Sequence, residues 1–99
     1  MDTTTARTHE AETVITARYW AGARSAAGVD VDVFEVAGPI KLSEVVRRVL
    51  TAHPGPDVAR TIGVCSVLLG DRPVSTEDAD EVEVAPGSTV EFLPPFAGG

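Results

Sequence analysis

The chain has 99 residues, enough for one domain with one modest core, and its 43% hydrophobic content is ordinary for a globular protein. A formal charge of −7 argues against nucleic-acid binding, which depends on neutralising phosphates with Lys and Arg, and favours a neutral or basic protein partner. One cysteine and two histidines cannot supply a structural zinc site or an internal disulfide.

Residues 1–13 are polar, Thr-rich and aperiodic, the composition of a disordered leader. They lack the charged and apolar regions of a signal peptide, and no apolar run approaches the length of a membrane span, so the expected location is cytoplasmic. Residues 14–20 are rich in β-branched and aromatic side chains. Ile15, Ala17 and Tyr19 fall on one face and Thr16 and Arg18 on the other, which predicts a first strand. A small-residue connection follows, with a helical turn that Gly28 ends. Val29, Val31 and Val33 then alternate with Asp30 and Asp32, predicting a second strand with one wet face.

Gly38 and Pro39 break that pattern. Leu42, Val45, Val46, Val49 and Leu50 recur at the spacing of a buried helical stripe, with Glu44, Arg47 and Arg48 between them facing water. Ser43 is the expected N-cap, and His53, Pro54 and Gly55 the expected stop. Residues 56–61 read as a loop or short turn, and residues 64–69 as an apolar strand buried on both faces. Gly70 and Asp71 signal a hairpin turn into a short edge strand at Arg72, Pro73 and Val74. Residues 75–80 are an acidic loop. Val82 and Val84 flank Glu83 as a short strand, and Pro86 and Gly87 form a turn before the last strand.

That order of elements predicts a two-layer α+β domain, with one main helix covering one face of a mixed sheet of four or five strands. Conventional enzyme chemistry has little material. Cys65 reads as a small core residue with little thiolate character, and His53 as a helix-end group favoured by the dipole. The acids Glu77, Asp78, Asp80, Glu81, Glu83 and Glu91 read as a solvated surface, or as a field steering the chain end toward a basic groove.

The distinctive stretch is the last one. The apolar segment 90–93 runs into Pro94 and Pro95, which lack a backbone donor and stop strand pairing. Phe96 and Ala97 follow, then Gly98 and Gly99, which have no side-chain bulk and end in a carboxylate, and residues 95–99 can extend about 16 Å from the body. This tail, together with Tyr19, Trp20, Ala21, Gly22, Ala23 and Arg24, resembles the MoaD/ThiS ubiquitin-like sulfur carriers, most closely MoaD, the small subunit of molybdopterin synthase. The resemblance implies a β-grasp domain over residues 14–93, with first and last strands side by side, and an activated tail over 94–99. It implies that the Gly99 carboxylate is adenylated and converted to a thiocarboxylate. The activating partner would be an E1-like, MoeB-like adenylyltransferase that uses ATP, no cofactor being held stably by the chain itself. The sulfur acceptor would sit on a MoaE-like large subunit. Gly98, Ala97, Phe96, Pro95 and Pro94 would thread the partner's channel, and Phe92 is a candidate partner contact. A carrier for another pathway, such as thiamine, cysteine or a thio-containing secondary metabolite, a lysine-linked modifier and a non-activated interaction domain are the alternatives.

Overall fold

The first predicted alternation forms β1, Val14–Tyr19, in which Ile15, Ala17 and Tyr19 are buried and Arg18 is exposed, as a half-buried strand requires. The structure, a computed structural model, describes residues 13–95; most of the expected leader and residues 96–99 of the expected tail lie outside the described residues. The small-residue connection is a helix, α1, Ala21–Ala27. It ends at Gly28, whose φ of +81° is the left-handed cap conformation and whose N–H donates to the Arg24 carbonyl at 2.8 Å.

β2, Val31–Glu35, pairs antiparallel with β1 and forms an edge of the sheet. Its faces correct the simple reading of the alternation. Val31 and Val33 are 41% and 58% exposed, whereas Asp32 and Phe34 turn toward the core side. The Ala17–Asp32 and Ile15–Phe34 partnerships set this register. Asp32 tolerates the position because its carboxylate accepts from the Tyr19 hydroxyl at 2.7 Å and meets His53 Nε2 at 2.5 Å.

β3, Ile40–Lys41, leads directly into α2, Leu42–Ala52, whose buried residues Leu42, Val45 and Val49 follow the predicted stripe. Lys41, not Ser43, is the N-cap, and no side chain caps this end. The N–H groups of Leu42 and Ser43 donate instead to the carbonyls of Val82 and Ala79, at 2.8 and 3.1 Å, so tertiary contacts satisfy the open helix end. His53 terminates the helix as expected.

The segment read as a loop is a helix, α3, Pro56–Gly63. Proline is a starter at the first helical position, where its missing N–H costs nothing. Val58 and Ile62, four residues apart, are the buried face. β4, Ser66–Leu69, is shorter than expected and is not buried on both faces: Ser66 is exposed, and Val67, Leu68 and Leu69 are half-buried. Gly70, at φ +64°, turns the chain into β5, Arg72–Pro73. The acidic stretch is turns, and β6, Glu83–Val84, pairs antiparallel with β3 in a separate two-stranded sheet.

β7, Thr89–Leu93, closes the architecture. It lies mid-sheet, parallel to β1 and antiparallel to β4, giving the order β2-β1-β7-β4-β5. Its inward Val90 and Phe92 join Ile15, Ala17, Tyr19, Val45, Val49 and Val58 in one core, with helices on one face of the sheet. Among the described residues no buried side-chain nitrogen or oxygen lacks a hydrogen-bond partner.

Candidate functional site

The end of β7 fixes where the tail leaves the domain. The Trp20 N–H donates to the Phe92 carbonyl at 3.1 Å. Two residues later Pro94 has no N–H to offer either neighbouring strand, so the ladder stops and the chain departs from the sheet. Pro94 is half-buried, its Cγ 3.9 Å from where a Cβ on Gly22 would stand, and Pro95 is exposed. Phe96, Ala97, Gly98 and Gly99 lie outside the described residues.

Phe92, a candidate partner contact on the sequence, cannot serve as one. It is 0% exposed and stacks on Tyr19 with ring centroids 5.9 Å apart. The reason is register: Tyr19 pairs with Phe92 across β1 and β7, and both point toward the helices. The opposite sheet face carries Thr16, Arg18, Val31, Val33, Thr89 and Glu91, with no helix over it among the described residues. At its tail end Trp20 is 40% exposed. Its indole N–H donates to Glu91 Oε1 at 2.8 Å, and the Arg18 guanidinium lies 4.9 Å from the ring centroid, so the ring is held at its edge and over one face. Its position one residue past the last paired residue of β1 is what puts Trp20 outside.

Beside the tail exit lies a groove of about 750 Å³, lined mainly by apolar side chains including Trp20, Val64, Leu93, Pro94 and Pro95, with Arg60 its one charged lining residue. Val64, read as strand interior, is 60% exposed because it follows α3 rather than entering β4. Ala21, also on this wall, holds φ at +48°, a conformation that non-glycine residues rarely adopt.

Other candidate reactive groups are engaged elsewhere. Cys65 lies between α3 and β4 rather than mid-strand, and its thiol donates to the Thr61 carbonyl at 3.2 Å. Burial pushes its pKa up to about 11, so it carries little thiolate at neutral pH. His53 closes the Tyr19 and Asp32 network and packs edge-on against Tyr19, a tertiary role beyond the helix dipole. Burial, then the bond to Asp32, drives the Tyr19 hydroxyl well above its ordinary pKa. Among the described residues no cluster of His, Cys, Asp and Glu could hold a metal ion. No described helix is long and apolar enough to cross a membrane.

No protein-family model matches the chain. Over 81 residues it is 27% identical to a molybdopterin synthase sulfur carrier subunit of Chlamydomonas reinhardtii, covering 82% of this chain and 93% of that protein. Among solved structures it is similar to SAMP1, a small archaeal modifier protein of Haloferax volcanii. The TM-score there is 0.71 at 20% identity, over 87% of this chain and 99% of that one. It is also similar to a chain in the complex of subunits 1 and 2 of molybdopterin-converting factor from Helicobacter pylori, with TM-score 0.58 at 20% identity, over 87% and 99% of the two chains.

Proposed function

We propose that this chain, a ubiquitin-like β-grasp protein of the MoaD/ThiS sulfur-carrier type, carries sulfur as a thiocarboxylate on Gly99 and serves as the small subunit of a molybdopterin synthase. The observation that carries this reading is the end of β7: a central strand is terminated by two prolines, and the sequence beyond them finishes in Gly98 and Gly99. The named relative from Chlamydomonas supports the sulfur-carrier assignment.

The chemistry asks no acid, base or nucleophilic side chain of this chain. A carboxylate is a poor acyl donor, so the partner's ATP activates it: a Gly99 oxygen attacks the α-phosphorus and pyrophosphate leaves, giving an acyl-adenylate. Sulfide or a persulfide sulfur then displaces AMP, and for a persulfide a thiol reductant releases the thiocarboxylate. The carrier's contribution is positional, since reacting atoms must come within about 3 to 3.5 Å of each other. Gly98 and Gly99 have no side chain to obstruct a narrow channel, and Pro94 and Pro95 restrict the arm's backbone. The activating partner would be a MoeB-like adenylyltransferase. The sulfur acceptor would sit on a MoaE-like large subunit, a reading supported by the two-subunit Helicobacter complex. Trp20, held by Arg18 and Glu91 on the uncovered face, replaces Phe92 as the aromatic expected to anchor such a partner.

The likeness to a small archaeal modifier protein favours a second reading, attachment of Gly99 to protein lysines. The single lysine of this chain, Lys41, is exposed and allows at most one internal side-chain acceptor. One experiment separates the readings: incubation with an activating enzyme, ATP and a sulfur donor, followed by mass spectrometry. Exchange of one oxygen for sulfur at the chain end supports the carrier and lysine adducts support the modifier. Gly98→Val is expected to abolish the exchange while leaving the circular-dichroism melt unchanged; normal loading of that variant would refute the threading role.

A further inference from the structure

The groove beside the tail exit has two large apolar side chains open to water, Trp20 at 40% and Val64 at 60% exposure. Apolar surface gathered in one concavity favours an occupant. We propose that the resting occupant is the chain's own Phe96, seated against Trp20, Val64 and Leu93.

Geometry favours this residue. Pro95 is itself part of the groove lining, and the Phe96 Cα stands only about 3.8 Å beyond the Pro95 Cα across a trans peptide. With so short a tether, no loop has to close for the ring to meet the groove. Of the four residues beyond Pro95, Phe96 is the one large apolar side chain, and none of the four side chains carries a charge to be stripped of water. Pro95 fixes its own φ, so the direction in which the arm leaves the groove wall is already partly set. A second copy is the less suited occupant. Each chain carries a charge of −7, which opposes self-association, while Phe96 is tethered at the groove and reaches it without a bimolecular encounter.

The consequence for sulfur transfer rests on the function proposed above. Seating Phe96 would hold Gly98 and Gly99 against the body between encounters, and a partner would gain the tail by displacing one ring.

Trp20 is the only tryptophan in the chain and lines the groove, which makes it the reporter. In the full-length protein with labelled methyl groups, nuclear Overhauser contacts are expected from the Phe96 ring to Val64 and Leu93 methyls. Phe96→Ala is expected to shift Trp20 emission to longer wavelength and to raise its acrylamide quenching by about twofold, as a large indole loses its cover. Val64→Ser, which also lines the groove and is well exposed, is expected to give the same direction of change with Phe96 retained. Absent contacts with unchanged Trp20 emission in Phe96→Ala would overturn the proposal. So would contacts seen only between differently labelled copies, with emission that depends on concentration. None of these measurements uses the activating enzyme, so failure here leaves the sulfur-loading result untouched, and the reverse.

Discussion

Truncating the two aromatics at the end of the sheet should separate support from recognition. Phe92 is wholly buried, stacked on Tyr19, and flanked across the sheet by Val67. Phe92→Ala removes a ring from a closed core, and large-to-small changes of this kind cost about 3–5 kcal/mol. A domain of this size is expected to have a total stability of about 5–15 kcal/mol, so the variant should retain a fraction of it. At about 4–8 °C per kcal/mol, the thermal midpoint should fall by at least about 12 °C. Trp20 offers the contrast, with 40% of its surface exposed and its polar edge on Glu91. Trp20→Ala should cost about 1 kcal/mol or less in urea unfolding followed by circular dichroism, yet weaken association with the proposed large-subunit partner by at least about tenfold, as an aromatic anchor does. Phe92→Leu, which keeps most of the volume, serves as the folded control. The reasoning fails if Phe92→Ala melts like the parent while losing its partner, or if Trp20→Ala unfolds the domain with partner affinity intact.

Gly28→Ala should destabilise by about 1–2 kcal/mol, because φ at +81° disfavours a side chain while the added Cβ would meet nothing within 4 Å; a Gly28→Asn variant should recover part of the loss in the same denaturation assay. Alkaline pH should weaken the fold. Cys65 and Tyr19 hold their protons more tightly folded than unfolded, so their stabilisation is complete below their ordinary values of 9.0 and 10.0 and is lost as pH rises through the folded values. Unfolding curves from pH 8 to 11 should show that decline, flattened in a Cys65→Ala, Tyr19→Phe double variant; an equal slope in that variant would contradict the assignment. On the acid side, hydrogen bonds from Arg47 and then Arg48 hold the Glu44 carboxyl below its ordinary value. Its contribution is present above that ordinary value and disappears as pH falls through the folded one, so Glu44→Gln should lose stability relative to the parent at pH 7 and converge with it in acid. A gap that stays constant with pH would rule out the charged pair as the cause.

Local chemistry alone determined much of this protein. Alternation in β1 and the apolar stripe of α2 named the residues that enter the core, since period and burial coincide when an element has one covered face. Glycines marked the turns at 28, 70 and 87, each with positive φ. Two prolines marked the end of the last strand, because a missing donor is a property of the residue and not of its surroundings. The short helix α3 was legible in retrospect, through Pro56 at its first position and the spacing of Val58 and Ile62. Eight residues with two buried positions give too few repeats to outweigh the flanking glycine and proline.

What the tertiary structure decided was which way faces point and who neighbours whom. Alternating Val and Asp in β2 established that two faces exist, but the dry one was chosen by pairing with β1 and by Tyr19 and His53 meeting Asp32, partners 13 and 21 residues away. The same registration buried Phe92 and left Trp20 outside. The groove beside the tail draws its walls from α1, α3 and β7, which no local window contains together. Side-chain period is written along the chain; the partner that covers each face comes from contacts between distant segments, and only folding brings those together.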